Sequence, residues 1–346
     1  MIAADWTRPL FDIAQMRRIN YPMPTAELSN ENASAIRDKL IEAVPSLATA
    51  RTPVFELPGF PEISYEKASS FKQLVKSISN FRRDVKAAIA APSNQRKDRI
   101  RDLLASYGAK DQQEPMLRAV ALDLLELSRD YLEWEDTVKY IHGLPDQLKE
   151  LPVIQEQYWL AKSKAGDPIE AIGALEELIA THGATPERHG LIAGRYKRLY
   201  RDVDDPADKA RYLDKAIENY RAGMLLDLND YYCASNLPRL LRERGEPSDR
   251  HKVQSIAQLV VAACERARKL GVADEWLNPT LLGAAFDAAD LETANTLLVQ
   301  IKKEGASAWK LQSTMSDLKL GASQIEDAEV QANMNSIIQE LGSVLA

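Results

Sequence analysis

The chain is poor in the residues that most often carry chemistry. Its 346 residues include two cysteines and four histidines. Cys233 and Cys264 form no C-x-x-C pair, which removes a zinc knuckle or a redox dithiol. His142, His182, His189 and His251 are scattered, and no two stand at ligand spacing on one helix. There is no G-x-G-x-x-G, P-loop, G-x-S-x-G or H-E-x-x-H, nor the V-A-I-K and D-F-G of a protein kinase. The expectation is a protein with no catalytic activity, cofactor or metal. No apolar run approaches the roughly 18 residues of a membrane span. MIAADWTRPL has neither the basic n-region nor the apolar h-region of a signal peptide, so cytoplasmic residence is expected. An excess of positive charge is missing too: the net charge is −7, which argues against nonspecific nucleic-acid binding as the main role.

What remains is rich in aliphatic residues and Ala, with modest Gly, Pro and aromatic content, as suits a mostly helical protein. In a reducing compartment the two cysteines are expected as buried thiols. Residues 1–50 read as an N-terminal helical segment. One short helical piece carries Phe11, Ile13, Ala14, Met16 and Ile19 and ends before Pro22. A second, about 32–44, carries Ala33, Ile36, Leu40, Ile41 and Val44 on one face. Residues 51–64 hold TPVFELPGFPEIS, whose prolines deny a helix and give an extended connector. From residue 65 to 113 a helical leading region follows. Phe71, Leu74, Val75, Ile78, Phe81, Val85 and Ile89 form an apolar stripe at helical period, closed by Ala91-Pro92. A polar helix then runs over 93–107 and stops at Gly108.

Repeats are expected over 114–321, with a capping helix over 322–346. Thr137, Ala171, Ala216, Ala257 and Ala294 mark corresponding small or β-branched positions. The first spacing is 34 residues, the tetratricopeptide period; the later ones are widened by insertions such as DVDDPADKARY and GEPSDRHK. The clearest stretch is 190–245. There Ala216, Tyr220 and Gly223 share one helix face, a bulky ring between two small residues, so that neighbouring helices approach closely. Each helix pair buries its apolar face only against its neighbours. The fold expected is therefore all-α: a right-handed α-solenoid of degenerate tetratricopeptide-like helical hairpins with an N-terminal helical and extended segment.

Gly194-Arg195-Tyr196-Lys197, Ala216-Ile217-Glu218-x-Tyr220-Arg221-x-Gly223, Tyr231-Tyr232 and Asn236-Leu237 resemble the TRAF-binding region of stress-activated MAP kinase kinase kinases, best known from the apoptosis signal-regulating kinases. The wording DLNDYY…SNLPRL is similar to the bacterial branch of that region. The resemblance spans about 115–320 and is most specific over 190–245. It implies a protein-interaction scaffold that regulates an attached effector. In bacterial relatives that effector is an N-terminal α/β domain of Toll/interleukin-receptor or nucleoside-deoxyribosyltransferase-like type. Pro9 to Tyr21 resembles the closing helix of such a domain, which makes 1–50 a remnant of it. No residue here matches a catalytic position of those domains.

The candidate site is a local reversal of charge. Arg195, Lys197, Arg198 and Arg201 stand on one first helix; Arg239, Arg242 and Arg244 stand on the next. First helices of neighbouring repeats line one concave surface. Arg195, Tyr196, Arg198, Tyr200, Tyr231, Tyr232, Asn236, Arg239 and Arg242 are thus expected to form a basic, tyrosine-flanked groove. Arginine forks suit carboxylate or phosphate, so the partner is an acidic peptide or protein segment, self-association included. A nucleotide-like anionic ligand is the alternative. A blander arrangement stays open, with the tyrosines in the inter-repeat core and the arginines paired to Asp202, Asp204, Asp205 and Asp208. That acidic cluster lacks the glycine and closing glutamate of a calcium loop. Asp205-Pro206 reads instead as an N-cap followed by proline at N1.

Overall fold

A computed structural model describes residues 2–4, 19–21, 29–47, 65–108, 118–304 and 307–343. The chain divides into two compact units, Met1–Lys76 and Ser77–Ala346.

In the first unit, β1 (Ile2–Ala4) pairs in parallel with β2 (Ile19–Tyr21), Ile2 opposite Ile19, and α1 (Asn30–Leu47) follows. Ile19 was expected at the end of a helix. It opens a strand instead, because Ile-Asn-Tyr, with its branched and aromatic ends, suits a pleated ladder once an apolar partner strand is present. Phe11, Ile13, Ala14 and Met16 lie outside the described residues, as do the connector at 51–64 and most of the 9–21 segment. Within α1, Ile36 is buried whereas Leu40 and Ile41 are exposed. α2 (Tyr65–Ile89) is the long helix of the apolar stripe.

The second unit is an α-solenoid. After α3 (Ser93–Tyr107), which packs on α4, six helical hairpins follow among the described residues. They are α4 (Arg118–Tyr131) with α5 (Trp134–His142), and, after the short α6 (Asp146–Lys149), α7 (Pro152–Ala165) with α8 (Pro168–His182). Then come α9 (Pro186–Asp202) with α10 (Pro206–Leu226) and α11 (Tyr231–Arg244) with α12 (Asp249–Leu270). The last two are α13 (Leu277–Asp287) with α14 (Leu291–Glu304) and α15 (Ala308–Ser323) with α16 (Ala328–Gly342).

Local sequence sets where these helices begin. Asp167, Thr185 and Asp205 each precede a proline at N1, and each side chain accepts a hydrogen bond from a first-turn amide, which satisfies donors that the helix leaves open. Gly245 and Gly271 end α11 and α12 with positive φ, a conformation that suits glycine.

The repeat register follows the small residues. Thr137, Ala171, Ala216 and Ala294 are buried. Ala257 is only half-buried, and α12 packs instead through Val260, Ala263, Cys264 and Ala267. This helix has 22 residues, so its contact face falls a turn later than a strict repeat would place it. The expected close approach is present around α10. Tyr220 is fully buried, and a Cβ at Gly223 would lie within 3.2 Å of the Pro186 carbonyl and 3.1 Å of His189 Cβ. Cys233 and Cys264 are buried free thiols. Among the described residues, no helix is long and apolar enough to cross a membrane.

First helices pack on first helices from α7 through α9, α11 and α13 to α15, and α15 in turn packs on α4. The row of first helices thereby returns to its beginning.

Candidate functional site

The inner row brings together only part of the expected groove. On α9, Lys197 donates to Asn236 Oδ1 at 2.6 Å, and Asn236 donates back to the Tyr232 carbonyl of its own helix. Tyr232 lies against α9 because residue 190 is glycine; a Cβ there would overlap the Tyr232 ring. Tyr220 and Tyr232 meet edge to face at 6.4 Å, and Arg195, buried on α9, is within electrostatic reach of both phenols. Arg198 reaches from α9 to the Ser163 carbonyl on α7 and pairs at 3.4 Å with Asp202.

Other residues of that set face elsewhere. Tyr200 donates to Glu243 and Tyr231 to Asp274, and both rings sit in the hydrophobic core. Tyr196 is half-buried and stacks on Tyr212 with centroids 6.3 Å apart. Arg239 and Arg242 turn to α13, where they share the carboxylate of Asp287 at 3.0 and 2.6 Å. The tyrosines thus divide between core and inner row. Of the groove arginines Arg195, Arg198, Arg239 and Arg242, only Arg198 pairs with the acidic cluster among the described residues.

The inner row also holds an element that local sequence did not assign to it. α15 lies against it from end to end. Trp309 meets Trp134 and Trp276 edge to face and donates from its indole to Asp130. Lys310, buried, donates to Asp130 at 2.8 Å and to Glu275 at 2.6 Å. Two turns on, Asp317 receives Lys197 at 3.0 Å and Arg201 at 2.7 Å. Gln324, just past the helix, donates to the Arg239 carbonyl. Lys164, Asp287, Lys310 and Asp317 belong to this site, yet none carries a motif. Asp317 lies 120 residues from Lys197, and only closure of the row makes them neighbours.

The electrostatics follow from an excess of cations. Burial alone would raise the Asp317 carboxyl, but Lys197, Arg201 and Arg239 outweigh it and hold the group far below the usual carboxylate range. Burial, opposed by Asp317 and reinforced by Arg201, pushes the Lys197 ammonium down to about 8. Lys164 reaches the surface, yet the protein packed around its stem, and then Arg195 and Arg198, push it down to about 8. One carboxylate among several cations gains stabilisation from all of them, whereas each cation also feels its like-charged neighbours. In the first turn of α9, burial and then Glu156 and Asp230 push Glu187 up to about 7.

Architecture and inner row define a tetratricopeptide-like helical-repeat protein. Residues 130–241, the span that holds Lys164, Arg195 and Asn236, match the family described as Tetratricopeptide Repeats-Sensor. No curated protein matches the chain.

Proposed function

We propose that this chain is a non-catalytic, cytoplasmic helical-repeat module that binds a protein partner and thereby regulates an associated effector domain. The observation that carries the reading is the seating of α15. It lies on the inner row through polar contacts at Asp317 and Lys310 as well as apolar ones. A helix held by exchangeable ion pairs can be displaced by a partner that presents the same chemistry. The match to a repeat-sensor family supports a sensing or scaffolding role. The resemblance of 190–245 to the TRAF-binding region supports a signalling one, with an effector of Toll/interleukin-receptor or deoxyribosyltransferase-like type.

The test is quantitative capture from lysate of the source cells, with wild type compared to Asp317→Asn. Weakening the hold on α15 is expected to enrich a specific partner, and cross-links from that partner should fall on α9 and α11. Capture of nothing by either protein, or cross-links confined to the outer helices, would remove this reading. The alternative of a sensor for a small anion is favoured by one side chain, Arg195.

A further inference from the structure

Positive charge gathers where α7 meets α9, and part of it has no partner. Arg195 is about nine-tenths buried, with 6% of its surface exposed. Its Nη1 has no hydrogen-bond acceptor. Among the described residues no carboxylate pairs with it, nor with Lys164 in the last turn of α7. Arg198, which pairs with Asp202, also donates to the Ser163 carbonyl, the residue before Lys164. Lys197 and Arg201 share the single carboxylate of Asp317. On α9, Asp202 pairs with Arg198, while Glu187 in the first turn is driven toward its neutral form by burial. The phenols of Tyr220 and Tyr232 are held neutral for the same reason.

A buried guanidinium without an acceptor is costly. Buried polar groups are paired in the great majority of folds, so an exception calls for an explanation, of which a bound ion is one. The surrounding excess of cations makes that ion an anion. We propose that Arg195, Arg198 and Lys164, where α7 meets α9, bind a phosphoryl dianion carried by a small metabolite. A dianion can meet both the buried Arg195 and the surface Lys164, neither of which is ion-paired among the described residues. The guanidinium forks supply paired donors for phosphoryl oxygens, and the lysine a mobile point charge. With α15 seated beside Asp317, the place suits a compact ligand. The site is independent of the protein partner proposed above, so either can fail alone.

The experiment uses the full chain with inorganic phosphate and pyrophosphate as probes. Thermal unfolding and titration calorimetry are run against sodium chloride at matched ionic strength. The wild type should gain several degrees in Tm at roughly 100 times the dissociation constant. Arg195→Gln and Lys164→Gln should each weaken binding by at least about tenfold. Arg211→Gln, an exposed arginine on α10 paired to Asp208, should bind as wild type. Without phosphate, Arg195→Gln should melt at or above the wild-type temperature, since it removes an unpaired buried charge. A marked fall in that melting temperature would show that Arg195 is a structural group and would overturn the proposal. So would a wild-type shift no larger than that of sodium chloride, or binding that survives in both variants. Lys164 lies at the surface, so Lys164→Gln keeps the test decisive if the arginine variant fails to fold.

Discussion

At the scale of single residues, the arginines divide by what they touch. Arg239 and Asp287 have side chains only 8% and 5% exposed, and the same carboxylate also holds Arg242. Asp287→Ala leaves two guanidinium groups without their counter-charge. It should cost about 3–5 kcal/mol in urea unfolding, the range for breaking one side of a buried pair. For the same reason Arg239→Glu, the obvious charge reversal for a basic groove, sets two acids together and reports on folding instead of recognition. Glu187 gives a pH signature. Its carboxyl is raised to about 7 in the folded chain, against about 4.3 when unfolded. Between those values the folded state holds a proton that the unfolded state has lost, so stability falls as pH rises through the window. Glu187→Gln should flatten the melting temperature between pH 5 and 8 and raise it at pH 8. A profile that matches wild type would show that the carboxyl titrates normally.

At the scale of elements, α15 is the one whose placement depends most on charge. Asp317 is a depressed carboxyl, so the stability it contributes is fully present above its unfolded value of about 4. That contribution is lost only as pH falls toward the much lower folded value. Amide exchange in α15 should therefore stay slow from neutral pH down to about 5 and quicken in stronger acid. Asp317→Asn should quicken exchange in α15 at neutral pH, remove the acid dependence and leave α10 protected. Uniform loss of protection along the unit would mean that Asp317 supports the whole solenoid and not the seating of one helix.

At the scale of the whole repeat unit, closure is the property that separates it from an open array. A solenoid with free ends depends on nearest-neighbour contacts and can fray from either end. Here Trp309 and Lys310 tie the sixth hairpin to Asp130 at the end of α4. Trp309→Ala should cost about 2–3 kcal/mol, somewhat less than full burial would give because the ring is half-buried. It should also broaden the denaturant transition or split it into two, as the first and last hairpins unfold separately. A single transition with unchanged slope would show that closure adds no cooperativity.

The sequence by itself determined the hairpins. Small residues at helical spacing, Asp-Pro and Thr-Pro helix starts, and the Ala216–Tyr220–Gly223 face act between neighbours in the chain, so periodicity displays them. It also determined that α9 and α11 carry clustered arginines. The tertiary structure decided what those arginines meet. Whether Arg239 faces a ligand or Asp287, and whether Lys197 is open or closed by Asp317, depends on how far each hairpin rotates on the last. Those rotations accumulate until α15 returns to α4. Side chains more than a hundred residues apart become partners only through that sum, and no local pattern records it. The strand at Ile19 has the same cause on a smaller scale, since a three-residue segment becomes β only when its partner is at hand. Arg195 unites both levels: its position on α9 is written in the repeat, and its lack of a counter-ion exists only in the folded chain.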